Sequence, residues 1–189
     1  MARVGVLALQ GDFELHAQAL QRAGAKVEMV RTAAELDGLA ALVIPGGEST
    51  TMLKLIEYKQ LWEPLVRFGE LRPVFGTCAG AILAASEVLN PAQASLGLVD
   101  MTIERNAYGR QLDSRIVRIT GHKLGGEAEL ELVLIRAPIV RRVGVGGRVL
   151  ASYDGDPVLV DYGRHLMATF HPEATQDPRV HRLFLERLE

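Results

Sequence analysis

The sequence has 189 residues and a formal net charge of −2, with 48% hydrophobic and 23% charged residues. This length predicts one domain over residues 1–189 with a sizeable core, and the near-neutral charge argues against nucleic-acid binding. No stretch approaches the roughly 20 apolar residues that a membrane helix needs, and the single cysteine, Cys78, leaves the cytosol as the expected compartment.

In the first half of the chain, short apolar runs alternate with amphipathic stretches. The first run, residues 4–9, is typical of a buried strand, and the helix after it places Phe13, Leu15, Ala19 and Leu20 on or near one face. The alternation predicts a parallel sheet with helices on both faces. The predicted strands are 4–9, 27–30, 41–44 and 73–75, and the predicted helices are 12–23, about 49–61 and 79–88.

The second half is dominated by strand-like segments separated by Gly, Pro and Asp turns. We therefore predict an α/β fold, a three-layer α/β/α sandwich of flavodoxin-like type, with a largely parallel central sheet and antiparallel additions in the C-terminal half. The last helix is expected to begin with Asp177 as N-cap and Pro178 in its first position. The predicted strands are 96–103, 116–120, 129–136, 148–153, 158–161 and 165–170, and the predicted helix is 177–188.

The strongest functional signal is the segment FGTCAG, residues 75–80, between a predicted strand and a predicted helix. Glycines two positions before and after Cys78 are what a sharp strand-to-helix elbow needs. Such an elbow places the sulfur at a helix N-terminus, which favours the thiolate, and leaves the N–H of Ala79 as an oxyanion donor. A buried cysteine acting as a small hydrophobe is the alternative, and the glycine spacing favours a nucleophile.

A cysteine nucleophile needs a base and a group that orients the base, and His171-Pro172-Glu173 offers both. Residues two apart in an extended chain point to the same side, so we expect His171 and Glu173 to face one cleft with Cys78. Taken alone, this segment is more typical of a solvated strand exit. We interpret two other histidines, His16 and His181, as lying on solvated helix faces.

Two further segments offer ligand-binding groups. Gly46 and Gly47, in PGGESTTM (residues 45–52), end a predicted strand and expose backbone N–H groups to a ligand or oxyanion; the alternative is a tight turn with Ser49 as helix N-cap. Arg105 follows one predicted strand and Arg136 ends another, and either suits bidentate binding of a carboxylate, although surface charge is the better explanation on these segments alone.

Together these segments resemble the class I glutamine amidotransferase family and, more narrowly, the glutaminase subunits of pyridoxal 5'-phosphate synthases. FGTCAG and HPE are typical of class I glutaminases in general, whereas PGGESTTM, ERNAYGRQ and LIRAP are typical of the narrower group. The matching strings LALQGDFELH, PGGESTTM, FGTCAG, GLVDMTIERNAYGRQ, LIRAP and TFHPE run in the family's order from residue 7 to residue 173.

The resemblance implies an activity and a set of roles. It implies hydrolysis of L-glutamine to glutamate and ammonia through a thioester, without metal or cofactor, and delivery of the ammonia to a synthase that combines it with a pentose phosphate and a triose phosphate. In this scheme Cys78 is the nucleophile, His171 the general base and acid, and Glu173 the residue that orients it. The other implied roles are oxyanion stabilisation by Gly46, Gly47 and Ala79, glutamine binding by Gly47, Glu48, Ser49, Arg105, Ile135 and Arg136, and coupling to the partner by Gln10.

Three alternatives stay open at this point. A glutaminase of another pathway, such as that of histidine, would share the triad but not PGGESTTM together with ERNAYGRQ. A cysteine hydrolase of the deglycase type has a similar elbow but lacks the His-x-Glu pair near the C-terminus. A regulatory subunit with a decayed site would not be expected to keep all three triad residues.

Overall fold

The structure is a computed structural model that describes residues 2–107, 114–126 and 128–188. The described helices are α1 (Phe13–Arg22), α2 (Ser49–Tyr58), α3 (Trp62–Leu71), α4 (Ala79–Ala84) and α5 (Arg179–Leu185). The strands are β1 (Arg3–Leu7), β2 (Lys26–Val30), β3 (Ala41–Ile44), β4 (Val74–Thr77), β5 (Ala85–Leu89), β6 (Val99–Glu104), β7 (Ser114–Ile119), β8 (Leu130–Ile135), β9 (Ile139–Val143), β10 (Arg148–Tyr153), β11 (Asp156–Tyr162) and β12 (His165–Ala168).

The centre of the molecule is a sheet with the strand order β10-β11-β12-β4-β3-β1-β2. The pairs from β12 through β4, β3 and β1 to β2 are all parallel, whereas β10–β11 and β11–β12 are antiparallel. Strands β5, β6 and β9 form a second sheet, and β7 and β8 form a hairpin. The predicted α/β fold, with a largely parallel sheet and antiparallel additions in the C-terminal half, is confirmed.

Helices cover both faces of this sheet because its strands are apolar on both sides. On one face, Leu20 of α1 and Phe184 of α5 pack with Phe75 of β4 in one buried cluster. On the other face, Met52 of α2 and Leu65 of α3 pack in a second cluster with side chains of β1 and β3. Strand β4 lies between these clusters, and all four of its residues are buried. In the described part of the chain, no helix has the length and apolarity to cross a membrane.

Three elements differ from the prediction. Helix α3 and strand β9 were not predicted, and the helix predicted over 79–88 ends at Ala84. The chain turns extended at Ala85 (φ −63°, ψ 156°), and β5 follows beside β6. The Ser86 hydroxyl donates to the carbonyl of Met101 and accepts from its N–H, both at 3.1 Å, so a contact distant in sequence replaces the next helical turn.

Two helix caps also differ from those named in the sequence analysis, Ser49 in the alternative interpretation of PGGESTTM and Asp177 in the predicted last helix. The N-cap of α2 is Glu48 rather than Ser49, because the Glu48 carboxylate accepts hydrogen bonds from the N–H groups of Thr50 and Thr51. This helix ends at Tyr58 instead of residue 61. At the C-terminus the predicted Asp177 cap was wrong by one position: α5 begins at Arg179 after Pro178, and the Asp177 side chain accepts from the Arg179 N–H at 3.0 Å.

Candidate active site

Cys78 occupies a strained elbow between β4 and α4. Its backbone angles, φ 47° and ψ −106°, are ones that residues with a side chain rarely adopt, and its N–H donates to Ala168 of the neighbouring strand at 2.8 Å. The flanking glycines are required by close approach: a Cβ on Gly80 would overlap the carbonyl of Ile44, and one on Gly76 would lie 2.7 Å from the carbonyl oxygen of Gly80. Ala79, the first residue of α4, follows the sulfur directly.

The structure brings His171 and Glu173 to this elbow. His171 lies beside Cys78, since a Cβ on Gly46 would be 2.4 Å from His171 Cε1 and 3.4 Å from Cys78 Cβ, and His171 Nδ1 lies 2.7 Å from Oε1 of Glu173. All three side chains are buried. The pair does not form in the extended chain that we predicted: Pro172–Ala174 is a turn of 3₁₀-helix, and the His171 N–H donates to the carbonyl of Val133 in β8 at 2.9 Å.

The electrostatics of this cluster favour a charged imidazole. Burial alone lowers the pKa of His171, but hydrogen bonds and charge interactions with Cys78 and Glu173 outweigh burial and raise this pKa to about 10. Because Nδ1 faces Glu173, Nε2 is the nitrogen left for the sulfur. The arrangement therefore suits a thiolate–imidazolium pair held by a buried carboxylate.

The Gly46–Gly47 turn lies against the triad and is held from the opposite side by the start of α1. A Cβ on Gly46 would overlap the His171 ring, so only glycine fits there. The Gly46 carbonyl accepts from the Asp12 N–H at 3.1 Å, and the Gln10 side-chain oxygen accepts from the Glu48 N–H at 2.8 Å. Gly47 has a φ of 151° and packs on Gln10. Residues 10–12 thus fix the loop that faces Cys78.

Arg105 and Glu48 come together beside this turn. Arg105 Nη2 donates to Thr50 Oγ1 at 2.8 Å and lies 3.6 Å from Glu48 Oε1. Burial opposes ionisation of Glu48, but hydrogen bonds from Thr51 and Thr50 lower its pKa to about 2. Ser49 is buried and donates to the Gln93 side-chain oxygen at 3.2 Å. The motif ERNAYGRQ continues past Arg105 into residues 108–111, which lie outside the described residues.

Ile135 and Arg136 lie at the end of β8, just after the Val133 carbonyl that binds His171. Ile135 is 39% exposed, and Arg136 has a φ of 44°. Among the described residues, no side-chain hydrogen bond or ion pair links Arg136 to Arg105 or Glu48. Of the six predicted glutamine-binding residues, the structure therefore brings Arg105 and Glu48 together and has Gly47 and Ser49 on either side of Glu48, whereas Ile135 and Arg136 lie at the end of β8.

The interpretation of His16 and His181 as solvated residues was wrong. Both side chains are fully buried, and their rings pack against Phe75 of β4. His16 Nδ1 lies 3.1 Å from His181 Nε2, and His16 Nε2 lies 2.8 Å from Thr77 Oγ1 and 3.2 Å from Glu173 Oε2. The sequence did contain a signal: His16 is three residues after Phe13 and four before Leu20, on the apolar side of α1. Leu15, which we placed near that side, is 41% exposed.

A metal site was not predicted, and one group of residues has suitable atoms. Asp12, His171 and Glu173 place potential ligand atoms within 4.8 Å of one another. The Asp12 carboxylate lies 3.6 Å from His171 Nδ1, the same atom that contacts Glu173 at 2.7 Å. An ion bound there would displace the histidine–glutamate hydrogen bond, so this group is better described as part of the triad's surroundings.

The buried histidines predict a loss of stability in acid. Burial lowers the pKa of His165 and His181 to about 4, and burial together with His181 and His171 holds the pKa of His16 well below 6.5. The unfolded chain therefore binds protons below pH 6.5 that the folded chain excludes. We expect the free energy of unfolding, from urea titrations, to fall steadily from pH 6.5 to pH 4, by about 1.4 kcal/mol per pH unit for each such histidine. A flat profile over this range would contradict the buried neutral state.

Comparisons with known proteins agree with this geometry. A sequence profile described as the SNO glutamine amidotransferase family matches residues 6–189. Proteins named "Pyridoxal 5'-phosphate synthase subunit PdxT" are similar: the one from Solibacter usitatus is 57% identical over 100% of both chains, and the one from Koribacter versatilis is 53% identical over 97% of this chain and 94% of its own. A solved crystal structure of a glutamine amidotransferase superposes with a TM-score of 0.89 at 46% identity, covering 98% of each chain.

The class follows from fold and site together. An α/β sandwich with a buried cysteine at a strand-to-helix elbow, next to a histidine and a glutamate, is the architecture of a class I glutamine amidotransferase. More narrowly, the chain belongs to the SNO glutamine amidotransferase family.

Proposed function

We propose that this chain is the glutaminase subunit of a pyridoxal 5'-phosphate synthase, a single glutaminase domain over residues 1–189 that supplies ammonia to its partner. The observation on which the proposal chiefly depends is the buried contact of Cys78 with His171, whose Nδ1 is held at 2.7 Å by Glu173. Relatives up to 57% identical are named as pyridoxal 5'-phosphate synthase subunits, which supports this pathway over that of a histidine-pathway glutaminase. A reactive thiol as nucleophile also fits a reducing compartment such as the cytosol.

The triad divides the chemistry into two steps. The Cys78 thiolate attacks the side-chain amide carbon of glutamine, and the His171 imidazolium gives its proton to the departing ammonia as the C–N bond breaks. His171, now neutral, then takes a proton from water, which attacks the thioester carbon. Glutamate leaves and the thiolate is restored. Glu173 stays ionised and holds the imidazole in the tautomer that presents Nε2 to the sulfur.

Each step passes through a tetrahedral oxyanion that requires N–H donors. Ala79, directly after the nucleophile, and the Gly46–Gly47 turn, which packs on the His171 ring, are the donors within reach of that position. Glutamine carries a positive ammonium and a negative carboxylate on its α-carbon. The Arg105–Glu48 pair offers a cation and an anion beside the Gly46–Gly47 turn to bind these two groups. We assign the remaining contacts to Ser49, Ile135 and Arg136.

Docking of the synthase partner is expected to control the Gly46–Gly47 turn, which supplies the proposed oxyanion donors, and to do so through Gln10. The turn depends on contacts with residues 10–12, the segment that leads into α1, so a protein bound to α1 acts on it directly. Glycine backbone is deformable, and an idle glutaminase wastes glutamine. Shifting such a turn from 1:99 to 99:1 in favour of the productive form needs about 5.5 kcal/mol of differential binding, which an interface of ordinary size supplies.

The test is glutamate release with and without saturating synthase subunit, and formation of pyridoxal 5'-phosphate from glutamine, a pentose phosphate and a triose phosphate. We expect the free chain to release glutamate slowly and the rate of release to rise roughly 10-fold or more in the complex. Gln10→Ala, which removes the acceptor for the Glu48 N–H, is expected to lose most of that rise while still binding the synthase.

Gln18→Ala is the matched control, since Gln18 is an exposed glutamine on α1 without a contact to the turn. Equal rates with and without synthase would mean that the turn is preorganised and that the partner only collects ammonia. Glutamine hydrolysis that never supports pyridoxal 5'-phosphate formation would assign the glutaminase to another pathway.

A further inference from the structure

A pair of buried histidines lies directly behind the proposed triad. His16 on α1 and His181 on α5 are both fully buried, with His16 Nδ1 3.1 Å from His181 Nε2. The other nitrogen of His16, Nε2, reaches Oε2 of Glu173 at 3.2 Å and Oγ1 of Thr77 at 2.8 Å. His16 therefore contacts the residue that orients the catalytic base and the residue that precedes the nucleophile.

Which ring nitrogen of each histidine carries the proton follows from the one nitrogen of the pair that has no hydrogen-bond partner within the described residues. Both rings are neutral, because burial lowers the pKa of His16 and of His181, so each carries one N–H. Within the described residues, His181 Nδ1 has no hydrogen-bond partner. A buried N–H without an acceptor costs more than a buried lone pair without a donor, so the proton of His181 lies on Nε2 and is donated to His16 Nδ1.

The position of the proton on His181 determines the tautomer of His16. With Nδ1 accepting, its own proton lies on Nε2 and is donated to Thr77 Oγ1 at 2.8 Å, and the same nitrogen lies 3.2 Å from Glu173 Oε2. The opposite tautomer would set the lone pair of His16 Nε2 3.2 Å from Glu173 Oε2, an oxygen that meets no group of the described part of the chain, His16 included, with normal hydrogen-bond geometry. The two arguments, one from each end of the chain of rings, lead to the same tautomer.

We propose that His16 is a positioning residue of the glutaminase site: its Nε2–H, hydrogen-bonded to Thr77 Oγ1 and 3.2 Å from the second oxygen of Glu173, attracts that oxygen electrostatically, so that the first oxygen stays aligned with His171. The inference rests on the triad roles proposed above. It extends the triad to a buried relay in which His181 fixes His16, His16 fixes Glu173, and Glu173 fixes the base. His16 does not touch glutamine in this scheme, so its loss acts on the chemical steps rather than on substrate binding.

The test compares His16→Gln with His16→Asn. The glutamine amide nitrogen reaches the place of Nε2 and still presents an N–H to Thr77 and Glu173, whereas the shorter asparagine amide reaches only the place of Nδ1. We expect His16→Gln to retain most activity and His16→Asn to lose about tenfold or more in kcat with KM unchanged. The rate at which iodoacetamide alkylates Cys78 at pH 7 should fall in parallel, and Cys78 is the chain's single cysteine.

His165→Asn is the matched control. His165 is a buried histidine whose Nδ1 accepts from the Val74 N–H at 3.1 Å, away from the relay, and asparagine can keep that bond. We expect it to leave kcat unchanged even if it lowers the urea midpoint. Equal kcat and equal alkylation rates for His16→Asn and His16→Gln would overturn the proposal, because a purely structural role does not distinguish the two amide positions.

The unchanged protein gives a second test that no folding defect can obscure. Long-range ¹H–¹⁵N correlation spectra report which ring nitrogen carries the proton, and we expect His16 to be neutral with its proton on Nε2. A proton on Nδ1 would overturn the relay. If the unchanged protein and its synthase complex release no glutamate from glutamine, the proposed function fails, while the alkylation rates and the tautomer still decide the role of His16.

Discussion

Replacing Cys78 with alanine is expected to lower the rate of glutamine hydrolysis by roughly 10⁴-fold or more. The chain contains no second cysteine, and Cys78 is held at the elbow against His171. Cys78→Ser should be nearly as inactive, because a serine hydroxyl does not ionise beside the imidazole as a thiol does. The measurement is kcat for glutamate release in the synthase complex, together with labelling by an electrophilic glutamine analogue, which should add to Cys78 of the unchanged protein and to neither variant.

The fold should survive these changes, because the cysteine is in a strained conformation and its side chain fills little of the core. Cys78 has a φ of 47°, a conformation that costs of the order of 1–3 kcal/mol for a residue with a side chain. Cys78→Gly relieves that strain, so we expect its urea midpoint to be at least as high as that of Cys78→Ala. A well-folded Cys78→Ala protein that hydrolyses glutamine at the original rate would overturn the mechanism.

Local chemistry explains why the elbow and the histidine–glutamate pair could be predicted. The glycines around Cys78 are required by contacts within a few residues or to the next strand, and FGTCAG shows them directly. His171 and Glu173 are two residues apart, and they meet although the chain forms a 3₁₀ turn where we expected an extended strand. Spacing of two residues keeps them close in either conformation.

Contacts between distant segments explain why the buried His16–His181 pair and strand β5 were not predicted. His16 and His181 are 165 positions apart and meet only because α1 and α5 pack side by side over Phe75. A histidine on an amphipathic helix is as typical of a solvated face as of a buried one. Strand β5 was missed for the same reason, since its partner β6 and the Ser86–Met101 contacts come from farther along the chain, while the local alanines favour helix.

Replacing His171 with asparagine is expected to lower kcat nearly as much as the Cys78 changes, by roughly 10⁴-fold, because nucleophile and base act as one unit. It should also change the pH dependence of stability. The pKa of His171 is raised to about 10 in the folded protein, so the protonated ring stabilises the fold fully below pH 6.5 and ceases to do so as pH rises through 10. Between pH 6.5 and pH 10, the free energy of unfolding should therefore decline less in the His171→Asn protein than in the unchanged protein. Urea titration at each pH measures this decline.

Glu173→Gln is expected to be milder, with a loss in kcat of about 10²-fold. The amide oxygen can still accept from His171 Nδ1–H, while the amide nitrogen turns toward His16 Nε2, and the His16–His181 pair can exchange tautomers to accept it. The negative charge that stabilises the imidazolium is lost, and the exchanged tautomer leaves the His181 proton on Nδ1, which has no acceptor among the described residues. The side-by-side measurement is kcat, KM and urea midpoint for His171→Asn, Glu173→Gln and Glu173→Ala. If Glu173→Gln proves as inactive as His171→Asn and its urea midpoint falls as well, then Glu173 holds the Pro172–Ala174 turn itself, and its role as the orienting carboxylate must be given up.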